Sequence, residues 1–239
     1  MSVTADQVAR LRLIRSENIG PVTYFQLLAR FGSAQAAIDA IPDLAARGGG
    51  RAPRLAAKSQ IEREVDEVER LGARYLFLGQ GLYPSLLAEL ETAPPALIGQ
   101  GDFMLLDKPA VAIVGARNAS AAACRFTRML ARGLGEAGTV VVSGLARGID
   151  TAAHDGALDT GTIAVIAGGI DVFYPPENEA RQRAIAERGL LLAEQPPGTE
   201  PRGSHFPSRN RIIAGFAAGT LVVEAAPKSG SLITARLAA

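Results

Sequence analysis

The chain has 239 residues, of which 48% are hydrophobic, 21% are charged and 5% are aromatic, and its net charge is +1. This composition is typical of a globular protein with one large or two smaller domains, and its Ala- and Gly-rich character favours an α/β fold. The near-neutral charge gives no overall attraction to nucleic acid. The single cysteine, Cys124, excludes an internal disulfide. The sequence shows no signal-peptide pattern and no apolar run long enough to span a membrane, so we expect a cytoplasmic protein.

The basic residues are strongly biased toward arginine. Of the 25 lysines and arginines, only Lys58, Lys108 and Lys228 are lysines, so 22 are arginines. Arginine suits bidentate contacts to phosphate and stacking on planar groups. A GC-rich genome would produce the same bias, so the bias alone identifies no ligand.

Residues 1–70 predict a small helical domain. Apolar residues in the segment 3–16 recur at helical spacing, and Pro21 is well placed to start a second helix that ends at Gly32. The Gly-rich, basic stretch 46–54 predicts a loop, and a charged amphipathic helix follows it.

Residues 71–239 predict a second domain. After a short strand–helix–strand lead-in, its core, 111–239, alternates apolar runs with helical segments. The apolar runs are VAIVG (111–115), VVVSG (140–144), TIAVIAGG (162–169), LLLAE (190–194) and TLVVEA (220–225). Such runs indicate a parallel sheet covered on both faces. We therefore expect an α/β fold with an extended Rossmann-like, doubly wound parallel sheet.

The strand-to-helix loops of such a sheet emerge at one edge, where ligands bind. The predicted loops carry five cations: Arg117, Arg147, Arg209, Arg211 and Lys228. Glycines in these loops allow close approach of backbone N–H groups, and helix N-termini favour anions. Five cations at one edge would repel one another, so we expect a phosphate or polyphosphate ligand. For any one arginine, a salt bridge to a local carboxylate is the alternative.

Motifs for nucleotide cofactors are missing from these loops. The first loop, GARNAS, lacks the G-x-G-x-x-G fingerprint, and the position where an acidic residue would bind a ribose is Ser143. No P-loop motif occurs in the sequence. We therefore expect no cofactor.

Catalytic candidates are few. His154 is expected to cap or pack on a helix, and His205 lies beside Phe206. No His/Cys/carboxylate cluster has the spacing of metal ligands, no nucleophile elbow occurs, and Cys124 is expected to pack within a helix. We interpret Glu224 as an orienting partner for an arginine. The sequence predicts a binding protein and not an enzyme, with no catalytic residue and no metal.

Aromatic residues accompany the arginines of the edge loops. Sites for single-stranded nucleic acid combine cations that follow the backbone with aromatic faces for the bases. Phe206, just before Arg209, is the best stacking candidate, although a core position is the alternative. For Phe173 we favour the core position, and Tyr174 adjoins it.

Seven motifs in order resemble a known family. They are GAR (115–117), SGLARGID (143–150), IAVIAGGID (163–171), YPPEN (174–178), HFPSRNRIIAG (205–215), VVEA (222–225) and SGSLITA (229–235). Together they look like the DNA-processing protein A family, also called DprA or Smf. The lead-in 83–102 is similar to the family's entry segment. Residues 1–70 resemble, more weakly, the SAM-like or helix-hairpin-helix-like domain that many members carry.

The resemblance implies a single-stranded DNA-binding recombination mediator. Members of the family protect incoming single-stranded DNA and load the RecA recombinase during natural transformation, and they form homodimers through the Rossmann-like domain. The family's DNA contacts, carried over by position, are Arg117, Ser143, Gly144, Arg147, Phe206, Arg209, Asn210, Arg211, Lys228, Ser229 and Gly230.

The sequence departs from the family pattern at two places. Ala116 replaces the more usual serine of the first turn, which removes a hydroxyl but keeps the arginine. The chain also stops at Ala239, where the family continues with a further strand and often a winged-helix domain. We therefore expect a truncated C-terminal end.

Two other functions compete with DNA binding. The first is a Rossmann-like nucleotide hydrolase of the lysine-decarboxylase-like phosphoribohydrolase type, whose PGGxGTxxE motif is not matched by AGGID at 167–171. The second is a nucleotide-sensing protein that uses the same edge. For Asn18–Pro21 a hairpin on the DNA backbone is the alternative, but packing or a protein contact is favoured because Glu17 and Asn18 offer no positive charge.

Overall fold

The computed structural model of the chain describes residues 3–47, 53–226 and 229–237. Its N-terminal part contains four helices: α1 (Ala5–Ile14), α2 (Pro21–Phe31), α3 (Ala34–Arg47) and α4 (Lys58–Arg70). The helices predicted in this region are therefore confirmed. Most of the loop predicted at 46–54 lies outside the described residues.

Local signals set the ends of these helices. Thr4 caps α1 in a capping box with Gln7, whose side chain bonds back to the Thr4 backbone. Pro21 occupies the first turn of α2, and Gly32 ends that helix with a left-handed φ of 77°. The apolar faces of α1, α2 and α3 meet around the buried ring of Tyr24.

The remaining residues form a seven-stranded sheet and six helices among the described positions. The strands are β1 (Arg74–Phe77), β2 (Ala96–Gly101), β3 (Ala110–Gly115), β4 (Val140–Ser143), β5 (Thr162–Ile166), β6 (Leu190–Ala193) and β7 (Thr220–Val223). The helices are α5 (Ser85–Ala88), α6 (Ala121–Glu136), α7 (Ile149–Ala157), α8 (Glu179–Arg188), α9 (His205–Phe216) and α10 (Gly230–Leu237).

The strand order β1-β2-β6-β5-β4-β3-β7 confirms the doubly wound α/β fold. The five strands from β6 to β7 in this order pair in parallel, and the central β4 and β5 are buried on both faces. The chain moves outward from β3 through β4, β5 and β6 and then returns to the other side of β3 as β7. This reversal creates a crevice at the carboxyl ends of β3 and β7.

Two features differ from the sequence-based expectation. The lead-in strands β1 and β2 join the same sheet in antiparallel pairing, with β2 against β6, so the sheet is mixed at this edge. Helix α9 begins at His205, so Arg209 and Arg211, which the sequence assigns to a loop, lie within the helix. Pro207 lies in its first turn, where a proline is tolerated because that N–H has no partner within the helix.

Candidate functional site

Two adjoining concavities lie at the carboxyl edge of the parallel strands. The smaller, of about 250 Å³, is bordered by the loops after β4 and β5. The larger, of about 550 Å³, lies at the crevice between β3, β7 and the start of α10. Both are lined by Arg117, Ala146, Phe206 and Arg209, so these residues form the wall between them.

Arg209 lies inside this wall, and its side chain is buried. Its Nη1 donates a hydrogen bond to the carbonyl oxygen of Val165 at 3.1 Å, while Nε has no partner among the described residues. Burial lowers the pKa of Arg209 to about 10, and the nearby carboxylate of Asp150 opposes that shift. The guanidinium therefore keeps its charge at neutral pH and contributes a positive field to both concavities.

Gly144 makes room for that guanidinium. A Cβ atom built on Gly144 would lie 1.4 Å from Nη1 of Arg209, so any side chain here would displace the arginine. The buried Asp150, at the start of α7, accepts hydrogen bonds from the backbone N–H groups of Gly144 and Ala146 at 3.1 and 3.3 Å. Burial raises the pKa of Asp150, and Arg209 and the two N–H groups oppose the shift.

The loop between β4 and α7 packs tightly against the turn after β3. Gly148 has a φ of 74°, and a Cβ there would lie 2.3 Å from the carbonyl oxygen of Ala116. Asn178, which sequence reasoning missed, fixes the other side of this loop: its Nδ2 donates to the carbonyl oxygen of Leu145 at 2.9 Å. Asn178 is the last residue of the motif YPPEN. Its amide is buried and must therefore find hydrogen-bond partners, but the burial is visible only in the structure.

Arg117, Phe206 and Tyr174 form a row at the mouth of the smaller concavity, in which Arg117 and Tyr174 are exposed and Phe206 is half-buried. The guanidinium carbon of Arg117 lies 5.4 Å from the centroid of the Phe206 ring, within the range of a cation–π contact. The rings of Phe206 and Tyr174 are 5.6 Å apart at 53°. Tyr174 is 45% exposed, so a planar ligand has an accessible aromatic face beside a cation.

Arg147 and Glu177 flank the opposite side of this concavity. Their side chains are 59% and 53% exposed, and the closest N–O distance is 3.5 Å. An ion pair this exposed contributes little free energy, so a ligand phosphate can compete with Glu177 for Arg147.

The start of α10 borders the larger concavity. Asn210 on α9 donates through Nδ2 to the carbonyl oxygen of Gly230 at 3.3 Å, and the hydroxyls of Ser229 and Ser231 are 2.8 Å apart. The structure thus brings Asn210, Ser229 and Gly230 to the predicted edge. Lys228 lies outside the described residues.

Arg211 does not face the ligand edge as predicted. Its Nη2 is paired with Oε1 of Glu194, and both side chains are largely buried. Residues two apart on an α-helix point about 200° from each other, so Arg209 and Arg211 cannot face the same side of α9. Arg211 therefore connects α9 to the end of β6, where Arg15 also donates to the carbonyl oxygen of Glu194.

Ser143 and Gly144 also differ from the predicted direct contacts. Ser143 is fully buried, and its hydroxyl donates to the carbonyl oxygen of Ile113 at 2.6 Å, which ties β4 to β3. The N–H of Gly144 is occupied by Asp150. Ser143 thus supports the site from behind its surface, whereas Gly144 lines the smaller concavity with its N–H already engaged. The motif does not reveal this packing, because it is a tertiary feature of the strand end.

Three other interpretations can be compared with the structure. Glu224 accepts a hydrogen bond from the N–H of Ser120 at 2.9 Å and pairs with no arginine among the described residues, so its predicted role was wrong. Phe173 is half-buried beside Arg183, apart from both concavities. His154 packs as expected: it is buried, with Nδ1 2.8 Å from the hydroxyl of Thr162.

The described residues also limit other kinds of site. Among residues 3–47, 53–226 and 229–237, no group of three His, Cys, Asp or Glu side chains is placed to hold a metal ion. Within the same part of the chain, no helix is both long and apolar enough to cross a membrane.

These features define the class of protein. A doubly wound sheet with three arginines and two aromatic rings at its carboxyl edge is a Rossmann-like fold with a cationic, partly aromatic edge. The sequence model of the family described as DNA recombination-mediator protein A matches residues 74–239, and that of the DprA-like N-terminal HHH domain matches residues 4–66. The chain belongs to the DNA recombination-mediator protein A family.

Two relatives show the extent of the similarity. The chain is 49% identical to the DNA processing protein DprA of Streptococcus pneumoniae over 154 residues, which is 64% of this chain and 54% of that protein. It is 41% identical to protein Smf of Synechocystis over 180 residues, 73% of this chain and 45% of that protein. The chain thus spans about half the length of these relatives.

Two solved structures have the same fold. The X-ray structure of DNA processing protein A from Streptococcus pneumoniae matches with a TM-score of 0.80 at 31% identity, over 100% of this chain and 84% of that one. DNA processing protein A from Helicobacter pylori, whose structure is described as giving insight into its single-stranded DNA binding mode, matches with a TM-score of 0.64 at 36% identity. That match covers 69% of this chain and 76% of that one.

Proposed function

We propose that the chain binds single-stranded DNA at the carboxyl edge of its sheet and has no catalytic activity of its own. The observation that carries the proposal is the row of Arg117, Phe206 and Tyr174 beside the buried charge of Arg209. Cations that follow the phosphates and aromatic faces that stack on bases are the combination expected for single strands.

The relatives support the same ligand. The Helicobacter pylori protein, similar over most of this chain, is described by its single-stranded DNA binding mode. We propose direct DNA contacts for Arg117, Arg147, Phe206, Asn210, Ser229, Gly230 and Lys228. Arg209 contributes charge from within the wall, Gly144 lines the smaller concavity beside it, and Ser143 and Arg211 support the site from behind.

We further propose that the bound strand is protected and transferred to a RecA-type recombinase, in the cytoplasm and as part of DNA uptake. The family description as a recombination mediator supports this role. A homodimer belongs to the same proposal and predicts a doubled mass in light scattering. The proposed transfer predicts that the chain accelerates growth of RecA filaments on single strands, and equal rates with and without the chain would refute it.

The DNA-binding proposal is tested by titrating a fluorescent oligo-dT with the wild type and with Arg117→Ala over a range of salt concentrations. Each phosphate contact to a single strand contributes about 0.7 to the negative slope of log affinity against log salt. Arg117→Ala should weaken binding about 10-fold or more and lower the slope by about one contact. Arg188→Ala, which removes an exposed arginine paired with Asp159 far from the edge, is the matched control and should change neither quantity.

Two results would overturn the proposal. One is the absence of binding to single strands. The other is an equal loss of affinity in Arg117→Ala and Arg188→Ala, because the carboxyl edge would then contribute no more to DNA binding than a distant surface. Release of free base from nucleoside monophosphates would instead favour the hydrolase alternative.

A further inference from the structure

Helix α6 presents an unusual outer face. Its residues Arg125, Arg128 and Arg132 are exposed, and within the described part of the chain none of them forms an ion pair or a side-chain hydrogen bond. Beside them are Phe126, 49% exposed, and Met129, 67% exposed. Large apolar side chains among unpaired charges on a helix surface are a frequent mark of an interaction site.

The two kinds of side chain form separate rows. With 3.6 residues per turn, Arg125, Arg128 and Arg132 lie within about 60° of one another around the helix axis, and Phe126 and Met129 lie about 60° apart in the neighbouring sector. Each row extends along the helix, and the cations span about 10 Å at 1.5 Å per residue. A cationic row beside an apolar one is suited to a ligand that has a charged backbone on one side and flat apolar groups on the other.

The arginines of α8, in contrast to those of α6, have acidic partners. On α8, Arg181 binds Asp155, Arg183 binds Glu179 and Arg188 binds Asp159. Asp155 of α7 and Asp159 of the turn after it are thus occupied by α8, although α7 packs directly on α6. The α6 face therefore carries three arginines against one acidic residue of the same helix, Glu136, which forms no ion pair among the described residues.

The α6 face is continuous with the edge of the sheet. Helix α6 starts at Ala121, four residues after Arg117, and Ser120 at its N-cap is held to the end of β7 by Glu224. A strand that leaves Arg117 therefore reaches Arg125 within the first turns of the helix. This continuity favours nucleic acid over an acidic protein surface, which would have no reason to begin at the DNA site.

We propose that the α6 face, defined by Arg125, Phe126, Arg128, Met129 and Arg132, is a second contact surface for single-stranded DNA. It takes the part of the strand that extends beyond the carboxyl edge, with the arginines on phosphates and Phe126 against a base. This inference rests on the proposed function, because the strand must first be held at the edge.

The test compares oligo-dT of about 6 nucleotides, which fills the edge, with oligo-dT of about 20 nucleotides, which extends beyond it. The variant replaces Arg125, Arg128 and Arg132 by Gln. The matched control replaces Arg70, Arg183 and Arg188 by Gln, which removes the same charge from exposed, ion-paired positions. Thermal unfolding verifies that both triple variants are folded.

The α6 variant should lose about 10- to 100-fold in affinity for the long oligonucleotide and about two units of its salt slope, since three phosphate contacts are removed. Its affinity for the short oligonucleotide should stay close to that of the control. Phe126→Ala should weaken only long-strand binding, by about 10-fold.

The outcomes separate this inference from the proposed function. Equal affinities of the α6 variant and the control for the long strand would overturn the α6 proposal while leaving the edge site intact, and the face would then suit an acidic protein partner. If the wild type binds neither length, both proposals fail. Weakening that is the same for both lengths would also overturn the α6 proposal, because it would show a general charge effect.

Discussion

Gly144→Ala tests whether the buried Arg209 builds the site. The new methyl group would lie 1.4 Å from Nη1 of Arg209, so the guanidinium must leave its position and lose its hydrogen bond to Val165. Overpacking a core costs about 1–3 kcal/mol, and a buried donor left without a partner costs about 1–3 kcal/mol. These two costs overlap because both arise from the displaced guanidinium, so we expect the free energy of unfolding to fall by about 2–4 kcal/mol.

DNA binding should fall in the same variant, because Arg209 lines both concavities. We expect a loss of about 10-fold or more in oligo-dT affinity, measured by fluorescence anisotropy under conditions where urea titration shows the variant to be folded. The control is Gly219→Ala just before β7, at the end of that strand opposite the carboxyl edge, where a Cβ meets nothing within 4 Å. That change should alter the free energy of unfolding by less than about 1 kcal/mol and leave the oligo-dT affinity unchanged. Equal stability and affinity of Gly144→Ala and wild type would refute the role given to Arg209.

Two further predictions concern residues behind the site. Arg211→Met leaves the largely buried Glu194 without its partner and should lower the free energy of unfolding by about 2–3 kcal/mol in urea titration, with oligo-dT affinity unchanged; a selective loss of affinity would return Arg211 to the DNA surface. Burial lowers the pKa of His154 to about 3, so below its usual pKa of about 6.5 the unfolded chain binds a proton that the folded chain does not. The free energy of unfolding should therefore decrease as the pH is lowered through about 6.5. At pH 5 this group alone lowers it by about 2 kcal/mol relative to its value well above pH 6.5. His154→Asn should show a shallower fall between pH 7 and pH 5, and an identical fall would count against the assignment.

The position of the site could be predicted because parallel strands all place their carboxyl ends at one edge. Arg117, Arg147 and Phe206 needed only the order of strands and loops to be brought together. The position of Arg211 could not be predicted from its assignment to a loop, because the side that it faces depends on the helical phase of α9. Because α9 begins at His205, both residues are helical, and a rotation of about 200° around the helix axis places Arg209 and Arg211 on opposite faces.

Other features depend on tertiary packing that no local pattern contains. Arg209 and Gly144 are 65 residues apart in sequence, and only the folded sheet shows that one fills the space the other leaves. The hydroxyl of Ser143 could face a ligand or a neighbouring strand with equal ease from sequence alone. Glu224 likewise bonds to the backbone of Ser120, which is adjacent to it only after β7 pairs with β3.

The central claim is that single-stranded DNA lies on the row of Arg117, Phe206 and Tyr174 at the carboxyl edge. Photocrosslinking with an iodouracil-substituted oligonucleotide, followed by mapping of the crosslinked residues by mass spectrometry, tests it most directly. The account predicts crosslinks to Tyr174 and Phe206, which are lost when unlabelled oligo-dT is added in excess. Crosslinks to Phe31 or Tyr83, with none at Tyr174 or Phe206, would contradict it.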